Sequence, residues 1–192
     1  MQSVIADITM SVDGYVSGPD DDIGHLHDWV FAGDEAGVNP RVSATGIDAE
    51  ILTDSFESRG AVVMGRRTYD VTDGWGGDPP FLVPCFVITH RPHERIVCEN
   101  GTTFDFIVDG PAAAVALARA AAGSKDVSVM GGAATISGLL DAGLVDELHL
   151  HIAPRVVGGG IRLFESMSRE IALEEFRTEV SPWATHVFYS VI

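Results

Sequence analysis

Cysteine and positive charge are scarce in this chain. Only Cys85 and Cys98 occur among 192 residues, each in an apolar, strand-like stretch. That count excludes the disulfide framework of a small secreted domain, and two buried thiols are expected instead. Lysine and arginine number 12 against 28 aspartates and glutamates, a formal net charge of −16. Such a field repels phosphodiester backbones and anionic headgroups, so neither nucleic acid nor a membrane surface is an expected partner. No apolar run approaches the roughly 20 residues of a membrane span. The start passes straight into an apolar stretch, without a basic segment or a small-residue cleavage site. Repeats, low-complexity tracts and linkers are also missing. The expectation is one cytoplasmic domain over residues 1–192, with an ordinary globular balance of 46% apolar and 21% charged residues.

What is present alternates between strand and helix patterns. Residues 3–10 read as a strand, 11–24 as a Gly/Asp/Pro-rich loop and 25–31 as a short helix. Thr45 and Asp48 have the spacing of a capping box, and Ile47, Ile51, Leu52 and Phe56 continue at helical period to Gly60. Residues 61–64 form a continuous apolar run, as in a central strand covered on both faces, with a helix starting at 66–68. Further strands are expected at 85–89 and 104–108. Pro111 opens a helix ending at Gly123, and a β-α-β unit follows as strand 126–130, helix 133–142 and strand 146–152. Leu173–Val180 and 184–192 alternate around Ser-Pro-Trp as an antiparallel hairpin. The sum is an α/β fold: a mostly parallel mixed sheet with helices on both faces and an antiparallel pair at one edge.

Three segments carry chemistry. Met130, Gly131, Gly132, Ala133 and Thr135 join a strand to a helix, where glycines admit a ligand to the backbone and free N–H groups face a pyrophosphate. A tight turn that needs glycine explains the same residues. Gly65, Arg66, Arg67 and Thr68 follow the strand at 61–64. Two cations at a helix start oppose its macrodipole unless an anion sits there. Thr89, His90 and Arg91, before Pro92, end the next strand. In an open α/β sheet these segments share the carboxyl rim, where ligands bind. Arg95 adds a further guanidinium nearby in sequence.

Taken in order, strand-Met-Gly-Arg-x-Thr, strand-Thr-His-Arg-Pro and strand-Met-Gly-Gly-Ala resemble the dihydrofolate reductase fold. They are more similar to the reductase domain of the bifunctional riboflavin-biosynthesis deaminase/reductase and its stand-alone relatives. The stretch from Met10 to Gly18, the stretch from Leu144 to Pro154 and the segment from Arg155 to Phe164 support this, so the resemblance spans nearly the whole chain. It implies a three-layer fold and an NADPH-dependent reductase of a small heterocycle, with 5-amino-6-(5-phosphoribosylamino)uracil reduction as reference activity. Dihydrofolate or pterin reduction, and a non-catalytic nucleotide sensor, are the alternatives.

The resemblance also implies roles. Arg66, Arg67, Thr68, Thr89, His90 and Arg91 would hold the 2′-phosphate and pyrophosphate. Gly131 and Gly132, often joined by a cis peptide in this fold, would lie against the cofactor with Gly65, Met130, Ala133 and Thr135. Ala6 and Val16 would flank the nicotinamide, beneath a closing loop at 14–24 that includes Gly18. Asp28 is the candidate proton-handling acid, with a helix-start role as the alternative; Asp13 reads as a turn residue. Glu147, His149 and His151 share a strand face in the manner of metal ligands, but a solvated or subunit-contact face explains them better and no metal is expected. Gly158, Gly159 and Gly160 suggest a turn, and Trp75 a loop anchor. A flavin-type cofactor stays open, because arginines bind any phosphate. The family implies a homodimer. The H-x-E and P-C-x-x-C ligands of the zinc deaminase half do not occur. The substrate wall would come from 19–40 and 71–80, which carry no pattern.

Overall fold

The computed structural model describes residues 2–33, 42–165 and 167–192. In chain order the first half comprises β1 (Val4–Ser11), β2 (Tyr15–Ser17), α1 (Asp28–Phe31), α2 (Ile47–Ser58), β3 (Arg59–Gly65), α3 (Arg66–Val71) and β4 (Cys85–Ile88). The second half comprises β5 (Ile96–Val97), β6 (Thr103–Ile107), α4 (Pro111–Ala122), β7 (Asp126–Val129), α5 (Ala133–Asp141), β8 (Glu147–Ala153), β9 (Ile161–Arg162), β10 (Leu173–Val180) and β11 (Thr185–Val191).

Nine of these strands form one sheet in the order β10-β11-β8-β1-β7-β3-β4-β6-β5, while β2 and β9 pair separately. The six central strands from β8 to β6 run parallel, and β11, β10 and β5 are antiparallel additions at the two edges. The expected β-α-β unit exists, but β1 lies between its two strands. Placed there, β1 has its backbone N–H and C=O groups paired on both sides, with β7 and with β8.

Alternation along β1 divides the structure. Val4 and Ala6 face a core shared with α4 and α5, in which Ala118, Ile136 and Leu139 are wholly buried. Each large member of that core, such as Ile136 or Leu139, contributes about 1.5–3 kcal/mol. The opposite face carries two smaller clusters. Trp29, Ile51 and Phe188 pack beneath α1 and α2, and Val62, Met64, Phe81, Cys85 and Phe104 pack beneath α3. Both thiols are free and buried, and burial pushes Cys85 up.

The helix ends follow sequence where local chemistry decides them. Pro111 opens α4 and Gly123 closes it at φ +65°. The capping box at Thr45 and Asp48 does not form: Gly46 caps α2 without a side-chain hydrogen bond, and Asp48 turns inward to His186. The loop at 11–24 contains β2, and the helix expected at 25–31 shortens to α1. Residues 34–40, part of the expected substrate wall, lie outside the described residues.

Candidate functional site

Because β7, β3 and β4 are parallel neighbours, their carboxyl ends bring the three motif segments to one rim. Gly65 N–H donates to the Gly131 carbonyl at 2.8 Å, and Met130 N–H donates to the Val63 carbonyl at 3.0 Å. The Gly131–Gly132 peptide is cis. A Cβ at Gly65 would collide with Thr135 Oγ1, so Thr135 is turned onto the end of β3. Gly131 has φ +99°, and a Cβ there would press on Ile8 at 3.3 Å. Gly132 opens α5 with no side-chain cap, which leaves the first-turn N–H groups of Ala133 and Ala134 to an external acceptor.

Guanidinium groups stand beside this strip. Arg66 Nε donates to one oxygen of Asp70 at 2.7 Å, and Arg91 donates to the other at 2.9 Å. The hydrogen bond from Arg66, reinforced by Arg91, holds Asp70 below the usual carboxylate range. Arg66 also lies over the rings of Tyr69 and Phe106. Thr89 is buried and its hydroxyl accepts the Arg91 N–H at 3.0 Å, while His90 is exposed. Arg67 forks onto Asp21 at 2.8–3.0 Å, tying α3 to the loop at 14–24. Arg95 pairs with Asp105 on β6.

The remaining expected residues are placed as follows. Ala6 has no exposed surface, so only its backbone can meet a ligand, and Val16 is half-buried. Gly18 is buried and donates to the Asp22 carbonyl at 2.7 Å. Thr68 Oγ1 lies against Gly132. Asp28 opens α1 and is held by His25 and Arg155, each at 3.2 Å. Asp13 accepts the N–H groups of Val157 and Gly158; these bonds and that of Ser11, the strongest, pull it to about 2. It is a turn residue that anchors the glycine run. Trp75 packs on Phe81 and Phe104 as a loop anchor. His149 pairs with Glu147, whereas His151 pairs elsewhere, and among the described residues no group of three His, Cys, Asp or Glu is arranged to hold a metal ion.

On the α2 face lies an arrangement that the sequence does not announce. Asp7 Oδ1 is 3.1 Å from His151 Nε2, His151 Nδ1 is 2.7 Å from His186 Nδ1, and His186 Nε2 is 2.8 Å from Asp48 Oδ1. Both histidines are buried, and Trp29 packs over them with centroids 4.3 and 5.1 Å away. Burial alone would raise Asp7, but the charge and hydrogen bond of His151 outweigh it and keep the carboxyl well below its usual range. Burial, then His151, lowers His186. Asp7 and His151 also line a cavity of about 250 Å³ between α2 and the sheet.

The RibD C-terminal domain family profile matches residues 2–182. The chain belongs to this family. The uncharacterized protein YyaP of Bacillus subtilis (strain 168) is 25% identical over 185 residues, covering 91% of this chain and 87% of that one. A Shewanella sp. PV-4 protein provisionally assigned to riboflavin biosynthesis superposes with TM-score 0.73 at 24% identity, over 100% of this chain and 99% of that one. Enterococcus faecalis dihydrofolate reductase, solved with NADP(H), superposes with TM-score 0.60 at 17% identity, over 98% and 96%. The dihydrofolate reductase-like fold is thereby shown.

Within this RibD C-terminal domain the rim gathers groups that suit an anion. The glycine pair leaves backbone bare, the helix start is uncapped, and two guanidiniums share a single carboxylate. The motif segments were found because glycine and arginine clusters are local signals. The contacts of Asp7, Asp48 and His186 are not legible in sequence, because their partners lie up to 144 residues away. In sequence His151 stands out only by its alternation with Glu147 and His149.

Proposed function

We propose that this chain is an NADPH-dependent oxidoreductase that reduces a small heterocyclic substrate, of the type handled by riboflavin-pathway reductases. The observation that supports it best is the rim itself: Arg66 and Arg91 converge on Asp70 beside the bare Gly131–Gly132 strip and the uncapped start of α5. Two guanidiniums on one carboxylate leave positive charge and N–H groups for a second anion, and guanidinium suits a phosphate monoester. A 2′-phosphate at Arg66 and Arg91, with pyrophosphate at α5, accounts for both features. NADPH is therefore preferred to NADH. When bound, the dinucleotide supplies a hydride.

The chain's own residues do the rest. Ala133 and Ala134 orient phosphate through backbone N–H groups, Thr68 and Thr89 set the rim's shape, and Arg67 with Asp21 ties the loop at 14–24 to α3. The cytoplasm, where thiols stay reduced, suits Cys85 and Cys98, and a homodimer is part of the same reading. Calorimetric titration with NADPH and NADH tests it, together with oxidation of NADPH at 340 nm on aminopyrimidine and pterin acceptors. NADPH should bind at least tenfold more tightly than NADH, and Arg91→Ala should erase most of that margin. Equal affinity for the two, or none for either, defeats the proposal.

A further inference from the structure

The proton count of the buried line follows from its geometry. Two imidazole nitrogens 2.7 Å apart share one proton: with none, two lone pairs oppose each other, and with two, the N–H groups collide. Each outer Nε2 faces a carboxylate, Asp7 or Asp48, which accepts only, so each carries its own proton. Three protons on two rings are one more than two neutral imidazoles hold. The pair therefore carries a single positive charge that moves between rings as the central proton shifts.

The surroundings balance that charge. Asp7 and Asp48 supply two negative charges, and buried Arg59, which donates to Ser55 beside Asp7, supplies a second positive one. His27, facing the pair from ahead of α1, stays neutral because burial first, then the charge of His151, lowers it to about 4. His149 is occupied by Glu147. A set that is neutral overall is one that the interior tolerates.

One end of the line opens on the cavity, whose wall also includes Arg59 and Ser128. Phe188 and Phe176 flank the space with flat surfaces. Two of the cavity's residues lie close in sequence to rim residues: Asp7 follows Ala6 on β1, and Ser128 on β7 lies two positions before Met130. Asp28 pairs with His25 and Arg155 and is not among the residues that line this cavity.

Resting on the reductase reading above, we propose that this cavity seats the planar substrate and that the His151–His186 pair is its proton source. His151 is the donor that touches the substrate, while His186 and Asp48 position it. Reduction of a C=N bond adds a hydride at carbon, drawn from the dinucleotide, which is oxidised, and a proton at nitrogen. The Nε2–H bond of His151 breaks as the substrate N–H bond forms, and its electron pair stays on the ring. Both imidazoles are then neutral, and a proton taken up from bulk solvent at Nε2 beside Asp7 restores the cation.

The test uses the full chain with 15N-labelled histidine and 7,8-dihydropterin as probe. NMR between pH 6 and 8 should show one proton shared between the two Nδ1 atoms and an N–H at each Nε2. The probe should shift the His151 signals, and Ser128→Val should abolish that shift by filling the cavity. With NADPH saturating, His186→Asn should lower kcat at least tenfold and remove the acid-dependent limb of the pH profile, leaving KM and NADPH affinity within twofold. Asp48→Asn gives the same readout should His186→Asn not fold. Two neutral rings at pH 7, no probe response at His151, or unchanged kcat in the variants each overturns this assignment. Absence of NADPH binding by the wild-type chain defeats instead the reductase reading beneath it.

Discussion

Gly65 shows how closely the rim is built. Its N–H holds the Gly131 carbonyl, and the space its side chain would need is taken by Thr135 Oγ1. Gly65→Ala should therefore destabilise the chain by about 1–3 kcal/mol through overpacking. Thr135→Ala in the same chain removes the obstructing hydroxyl and should recover most of the loss, giving a coupling of about 0.5–3 kcal/mol in a double-mutant cycle followed by urea denaturation. Additive losses would mean that the strip moves as a unit instead of meeting Thr135. Legibility at this scale depends on range. Arg66, Arg91, Gly131 and Gly132 are readable because charge and glycine clusters lie within a few positions. Asp48 was misread, since its helical spacing from Thr45 suggests a cap, whereas its partner His186 lies 138 residues on. Asp28, a carboxylate at a short helix, is visible in sequence, and a pair of imidazoles meeting across strands is not.

Among the elements, the continuous apolar run of β3 and the apolar residues at every second position in β1, β7 and β8 made those strands legible, and proline and glycine marked the ends of α4. The short β2, β5 and β9, of two or three residues each, carry no period and exist only through their partners. The loop at 14–24 is such an element, held by β9 on one side and by Arg67 on Asp21 on the other. Arg67 is largely exposed, so its ion pair contributes less than about 1 kcal/mol to global stability. Its effect is local. Arg67→Ala should leave the thermal midpoint within about 2 °C, since ~1 kcal/mol moves a domain of this size only a few degrees. It should still speed proteolysis between residues 18 and 24 severalfold, because loop opening no longer breaks a forked contact. Unchanged cleavage would show that β9 alone holds the loop.

The whole molecule responds to acid in a direction set by its buried imidazoles and carboxylates. Burial lowers His27 from 6.5 to about 4, so between those values the unfolded chain takes up a proton that the fold refuses. Stability therefore falls as pH drops through that window, by up to about 3 kcal/mol at 1.36 kcal/mol per unit. His186 is lowered too and acts in the same direction. Asp7, Asp70 and Glu147 are held below the carboxylate range, so the stability they add is present above their unfolded values and is lost at lower pH. The loss thus begins with imidazole and continues with carboxylate. Against it, the net charge of −16 shrinks on acidification and relieves self-repulsion, an effect that 0.15 M salt largely screens. His27 Nδ1 is buried without a partner, so His27→Leu removes both a desolvated nitrogen and the first titrating group. In 0.15 M salt, the thermal midpoint of His27→Leu should exceed that of the wild type by a margin that widens steadily from pH 7 to pH 4.5. Parallel curves would assign the early acid loss to His186 and its partners.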